Sequence, residues 1–223
     1  GNNDIANPNS YTVSTNSITL KDPHKAHFDF LGWYNNPNFS GTAISQIKKG
    51  SIGNIKLFAK WQIHNYSISY NLNGGENSSE NPNVFTISDL PFQLHEPTKK
   101  GYKFICWESN GKEIQQINTS TDFTLVAKWE LINYKISYDL GFNDATNDNV
   151  SSYNILSDSF KIKNPEKLGY KFLGWTTLSD TTLKSNFYIQ KGDIGDKHFI
   201  ANWQIITYQI KYSLDGGVNN KDN

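Results

Sequence analysis

Arginine and methionine are absent from this 223-residue sequence, cysteine occurs once, and 21 lysines are balanced by 21 acidic residues. A chain without a positive surplus or arginine lacks the usual means of neutralising phosphates and reading base edges, so no nucleic-acid partner is expected. The single Cys106 excludes an internal disulfide and stands in an aromatic strand pattern, where a small apolar residue packs. No apolar run reaches the roughly 18 residues that span a bilayer, so the segment is not expected to cross a membrane by itself. Signal and sorting patterns are also missing, and both ends read as those of an internal piece of something longer.

Recognisable chemistry is equally sparse. The five histidines His24, His27, His64, His95 and His198 do not recur in register, and His24 with His27 lacks the cysteine or carboxylate spacing of a zinc site. The acidic loop at residues 144–148 and the turn at Asp215 lack calcium-loop spacing and read as solvated loop. Nucleophile-elbow, P-loop and dinucleotide signatures are absent, so neither an enzyme nor a cofactor or metal is expected, and no binding residue stands out.

What is present is self-similarity. Phe30-Leu31-Gly32-Trp33, Phe104-Ile105-Cys106-Trp107 and Phe172-Leu173-Gly174-Trp175 match one another, as do Ala59-Lys60-Trp61, Ala127-Lys128-Trp129 and Ala201-Asn202-Trp203. A Tyr-x-Ile-x-Tyr-x-Leu pattern begins at Tyr66, Tyr134 and Tyr208. The two tryptophans of a copy lie 28, 22 and 28 residues apart, so the middle copy is six residues short at that one place. Pro23, Pro97 and Pro165 each precede the first tryptophan by ten, and each is followed two residues later by lysine. A position filled with tryptophan in every copy is read as core, because an indole is a large apolar payload for so small a unit; an exposed aromatic shelf remains an alternative for the tyrosines.

Residues 57–63 alternate apolar and polar with period 2, as a half-buried strand does, and residues 66–72 alternate in the opposite phase. The phase switch at residues 64–65, 132–133 and 206–207 marks candidate unit boundaries. Leu72-Asn73-Gly74-Gly75 and Leu214-Asp215-Gly216-Gly217 then read as tight turns, whereas Leu140-Gly141-Phe142-Asn143 departs from them. Short strands are expected near residues 11–13 and 18–20. The stretches ending at Lys49-Gly50 and Lys191-Gly192 suggest one helical turn each, closed by glycine.

Taken together, Tyr-x-Ile-x-Tyr-x-Leu-x-Gly-Gly, Asn-Pro, Pro-x-Lys-x-Gly-Tyr-x-Phe-x-Gly-Trp, Lys-Gly-x-x-Gly and Ala-Lys-Trp resemble the Listeria-Bacteroides repeat, the B-repeat type of internalin surface proteins. The resemblance covers essentially the whole chain; the middle copy departs by lacking Lys-Gly-x-x-Gly. It implies a mainly β (α+β) chain of small β-grasp-like units, each a mixed sheet with at most one short helix, arranged as beads on a string. It also implies an extracellular, virulence-associated bacterial context at the cell surface or wall.

The expected units are residues 1–63, lacking the first strand; 64–131, shortened by six residues; 132–205; and 206–223, the first strand and turn of a following unit. The leading expectation is a non-catalytic spacer or stalk with weak adhesion to a host-surface or matrix protein or glycan. The alternatives are a carbohydrate-binding array using surface tyrosines and a filament segment that self-associates end to end through the 206–223 strand.

Overall fold

The computed structural model describes residues 1–221. The protein is mainly β, built of several small mixed sheets, and its only helical element among the described residues is the 3-10 turn Ile87–Asp89. Contacts divide it into two compact units, Gly1–Lys99 with Phe104–Trp129, and Lys100–Lys103 with the residues from Glu130 onward.

The third repeat shows the layout most simply. Tyr134–Asp139 pairs antiparallel with Ser152–Tyr153 on one side and parallel with Lys197–Ile205 on the other; Tyr170–Thr176 follows, antiparallel to Lys197–Ile205. A second small sheet joins Phe160–Ile162 to Phe187–Ile189. Period-2 alternation sends one set of side chains from both sheets into a shared core of Ile136, Ile162, Trp175, Ile189 and Phe199. Burying such side chains is worth about 1.5–3 kcal/mol each, which is what holds so small a unit together.

The second repeat repeats this plan. Tyr66–Asn71 lies between antiparallel Val84–Phe85 and parallel Phe123–Leu131, and the sheet continues through Tyr102–Ser109 to Lys112–Ile114. Phe92–Gln93 with Gln116–Ile117 forms the small second sheet, and Ile68, Phe85, Trp107, Ile117 and Leu125 fill the core.

Among the described residues the first repeat forms two strand pairs, the tryptophan hairpin of Phe28–Tyr34 with Phe58–Ile63, and Ile18–Thr19 with Gln46–Ile47. No strand among the described residues lies beside Phe58–Ile63 where the parallel tyrosine strand lies in the other two repeats. Accordingly the buried apolar residues other than proline, among those described, all come from the second and third repeats. The strand expected near residues 11–13 does not form: Tyr11 joins no ladder, whereas its equivalents Phe85 and Tyr153 pair with Tyr66 and Tyr134, and residues 12–15 turn as residues 86–89 and 154–157 do in the other copies.

The expected helical turns before Gly50 and Gly192 are also corrected. Gln46–Ile47 and Phe187–Ile189 are strands, each paired with a strand from the other side of its repeat, and the Lys-Gly pairs form reverse turns after them. Phe187 and Ile189 face the core with Tyr188 pointing out, a period-2 placement that a helical turn would scramble. The one helical element belongs to the middle copy, where Thr86 and Asp89 exchange capping hydrogen bonds around Ile87–Asp89.

The six-residue shortening of the middle copy has a local structural counterpart. In the first and third copies the tryptophan hairpin shifts register at Gly32 and Gly174, whose φ values are 135° and 151°. A Cβ at Gly32 would meet Ala43 at 2.8 Å, and one at Gly174 would meet the Lys184 backbone at 3.2 Å. The middle copy replaces that long loop with a tight turn through Asn110 and Gly111, both at positive φ, pairing Trp107 with Ile114 and Ser109 with Lys112. Cys106 stands at the glycine position, where the shortened loop leaves room for its side chain.

Candidate functional site

The aromatic side chains form one constellation three times. Phe30, Phe104 and Phe172 each stand edge-on to both indoles of their repeat, with centroid distances of 5.4 and 5.4 Å, 5.4 and 5.6 Å, and 5.2 and 5.5 Å. This T-shaped contact sets a partial positive ring edge against a negative ring face. Trp107 and Trp175 are buried, at 2% and 0% exposure; Trp129 and Trp203 are half-buried, as are both indoles of the first repeat. The lysine after each buried proline covers the same region: Lys25 stands 3.6 Å from the Phe28 centroid, Lys99 5.9 Å from Trp129, and Lys167 5.4 Å from Tyr170.

An asparagine clamp also recurs. The side-chain amides of Asn7, Asn81 and Asn149 donate to the carbonyls of Lys21, His95 and Lys163 at 2.9 Å each. Their side-chain oxygens accept from the N–H groups of the same residues at 2.7, 2.8 and 2.6 Å. Trp33 and Trp107 donate from Nε1 to the same Lys21 and His95 carbonyls at 3.2 and 3.1 Å, so clamp and indole share an acceptor. Trp175 Nε1 is buried without a partner in the third copy. The clamp was legible in part: an asparagine recurs in register with the repeat, 14 residues before the segment it holds.

The tyrosines of the repeat pattern face inward. Tyr70 and Tyr138 donate to the carbonyls of Pro82 and Val150 at 2.8 and 3.0 Å, and burial pushes both phenols up to about 12. Tyr66 and Tyr134 pack on Phe85 and Tyr153 at 5.5 and 5.6 Å. Only their counterparts Tyr208 and Tyr212 are exposed, in a segment that joins no ladder.

The second indoles, Trp129 and Trp203, donate to the carbonyls of Leu72 and Leu140 at the ends of the tyrosine strands, at 2.9 and 2.8 Å. Trp61 makes no bond of this kind among the described residues. A groove of about 690 Å³ in the same repeat is lined by Trp33, Pro8, Tyr11, Asn54, Ile55 and Leu57 among others.

The titratable residues are dispersed. His27 Nδ1 lies 3.0 Å from the Tyr66 hydroxyl, His64 Nδ1 2.7 Å from Asp29, His95 Nδ1 2.8 Å from Glu80, and His198 Nδ1 2.8 Å from Ser137. His24 contributes its backbone to a bridge with Asn2. Among the described residues no three His, Cys, Asp or Glu side chains gather as a metal site would require. Asp144 pairs with Lys167, and that hydrogen bond holds its carboxyl below the usual range. Burial, with the carboxylates of Glu113 and Glu108 adding to it, pushes the Cys106 thiol up, away from the reactive thiolate form. Asp215 sits at positive φ in a turn closed by Gly217 N–H donating to the Leu214 carbonyl at 2.7 Å.

Three copies of one small β unit, each with the same aromatic triad and asparagine clamp, define a tandem-repeat protein. The chain matches the Listeria-Bacteroides repeat domain at residues 1–60, 66–128 and 134–202, and it belongs to that family. It is 29% identical over 201 residues to a protein of Evansella cellulosilytica provisionally named a Gly-rich membrane protein, covering 87% of this chain and 22% of the relative. A second Evansella cellulosilytica protein, provisionally named a membrane protein, is 29% identical over 196 residues, covering 85% of this chain and 28% of the relative. The chain thus spans about a quarter of the length of the curated relatives it matches. No solved structure matches. No helix among the described residues is long and apolar enough to cross a membrane, which leaves strand-built spans untouched.

Proposed function

We propose that this segment is a non-catalytic spacer of a bacterial cell-envelope protein, exposed outside the cell, in which β-grasp-like beads hold other domains away from the surface. The observation that carries this reading is the repeated Phe30, Phe104 and Phe172 triad: each copy spends its indoles on its own interior instead of presenting them to a guest. Family membership and relatives provisionally named as membrane proteins support the envelope setting. Weak adhesion to a matrix or host-surface protein or glycan is compatible with such an array, since many poor contacts add up when repeats are displayed together.

Small-angle scattering of this chain and of a head-to-tail duplication tests the spacer role. A maximum dimension that grows in proportion to the number of repeats is expected; a duplication no longer than the single chain would overturn it. For adhesion, immobilised matrix proteins and glycans should retain bead-displayed chains far better than free chains. Equal retention of both would remove the avidity argument.

A further inference from the structure

We propose that His27, His64 and Asp29 at the end of the first repeat form a polar latch on Tyr66 of the second, which holds these two repeats together as one rigid body. The latch goes beyond the spacer reading and does not depend on it.

Its backbone frame is common to all three copies. At the end of each tryptophan hairpin one bond closes the ladder: the His64 N–H donates to the His27 carbonyl at 2.9 Å, that of Ile132 to Gly101 at 3.0 Å, and that of Ile206 to Gly169 at 2.9 Å. The side chains on this frame set the first copy apart. His27 stands where the others have Gly101 and Gly169, His64 where they have Ile132 and Ile206, and Asp29 where they have Lys103 and Lys171.

What these side chains touch belongs to the next repeat. His27 Nδ1 lies 3.0 Å from the Tyr66 hydroxyl. The His64 ring stands edge-on to that of Tyr66, with 4.6 Å between centroids, and the Asp29 carboxylate fixes its Nδ1 at 2.7 Å. One phenol is therefore held by an imidazole at its hydroxyl and by a second at its ring. Tyr66 in turn packs on Phe85 at 5.5 Å, and Phe85 is buried in the core of the second repeat. Direct contacts thus run from the hairpin of one repeat into the interior of the next. Hydrogen bonds from Ser67 hold the Asp122 carboxyl below its usual range and His64 adds to this, so the imidazole between the repeats faces a carboxylate of each.

Backbone conformation singles out His27 in the same way. Its φ is 63°, in the left-handed region that Gly101 and Gly169 occupy at 77° and 76° without a Cβ. Histidine pays a steric cost there that glycine avoids, and the bond to Tyr66 is the contact that offsets it. The first repeat and most of the second also lie within one compact unit.

The test uses residues that the other copies already carry at these positions. In the unaltered 223-residue chain, amide nitrogen relaxation should give the first and second repeats one shared tumbling time. His27→Gly should separate the two times, even though it relieves the backbone, and Tyr66→Phe, which removes only the hydroxyl, should do the same. Combining these two changes should loosen the pair no further than either alone, because both delete one bond. His64→Ile added to them should widen the separation. Different tumbling times in the unaltered chain would overturn the proposal, as would a shared time that survives both single changes, or effects of the two that simply add.

Discussion

The side chain of Asn81 holds both backbone polar groups of His95, accepting from its N–H at 2.8 Å and donating to its carbonyl at 2.9 Å. Asn81 is buried, so water cannot take its place. Asn81→Ala should destabilise the second repeat by about 1–3 kcal/mol, the cost of leaving buried donors and acceptors unpaired. Urea unfolding followed by circular dichroism measures it; a midpoint unchanged by the substitution would show that the clamp is incidental.

The two buried indoles should matter more than their equivalent in the open repeat. Trp175→Ala is expected to cost about 3–5 kcal/mol through lost burial and the cavity left behind. Trp33→Ala, at the same position of a repeat with a half-buried core, should cost well under half of that. The comparison is a pair of denaturation curves at one temperature, and equal losses would contradict the burial difference.

Gly101 and Gly169 occupy the same turn at φ 77° and 76°, and in both the carbonyl accepts from the N–H that follows the tryptophan hairpin, that of Ile132 and of Ile206. Gly169→Ala should cost about 1–2 kcal/mol, the left-handed strain alone. Gly101→Ala should cost about 1–3 kcal/mol more, because its Cβ would fall 2.7 Å from Ile155, tight enough to force repacking. Thermal melts of the two variants, side by side, give the difference directly.

Alkali should weaken the protein over a definite window. Tyr70, Tyr138 and Tyr153 are raised from 10.0 to about 12, mainly by burial. A folded-state value above the unfolded one means that their contribution is complete below pH 10 and is lost as pH rises toward 12. The melting temperature should therefore fall across that interval, and Tyr138→Phe should remove part of the fall. A profile flat to pH 12 would contradict buried phenols.

Much of this was legible before any coordinates. The tryptophan register, the period-2 alternation of residues 57–63 and 66–72, and the Gly-Gly turn after Leu72 are local patterns, so they could be read from spacing alone. The Lys-Gly stretches misled for the same reason: Tyr188-Ile189-Gln190-Lys191-Gly192 ends as a helix ends, and only pairing of Phe187–Ile189 with Phe160–Ile162 shows it to be a strand and turn. The exchange of Gly174 for Cys106 looked like packing, but its link to the shortened loop needs the position of Lys184 over Gly174.

By itself, the sequence determined that one β unit occurs three times and that its indoles recur at two positions, because a repeat is written in covalent order and in the alternation of apolar residues. Only the tertiary structure shows how deeply the indoles of the two units that carry a tyrosine strand are sealed. Burial of Trp107 and Trp175 relies on parallel ladders such as Ile68 with Phe123 and Ile136 with Lys197, formed between residues more than fifty positions apart. Where that ladder is not made, beside Phe58–Ile63, the same residues leave their core half open.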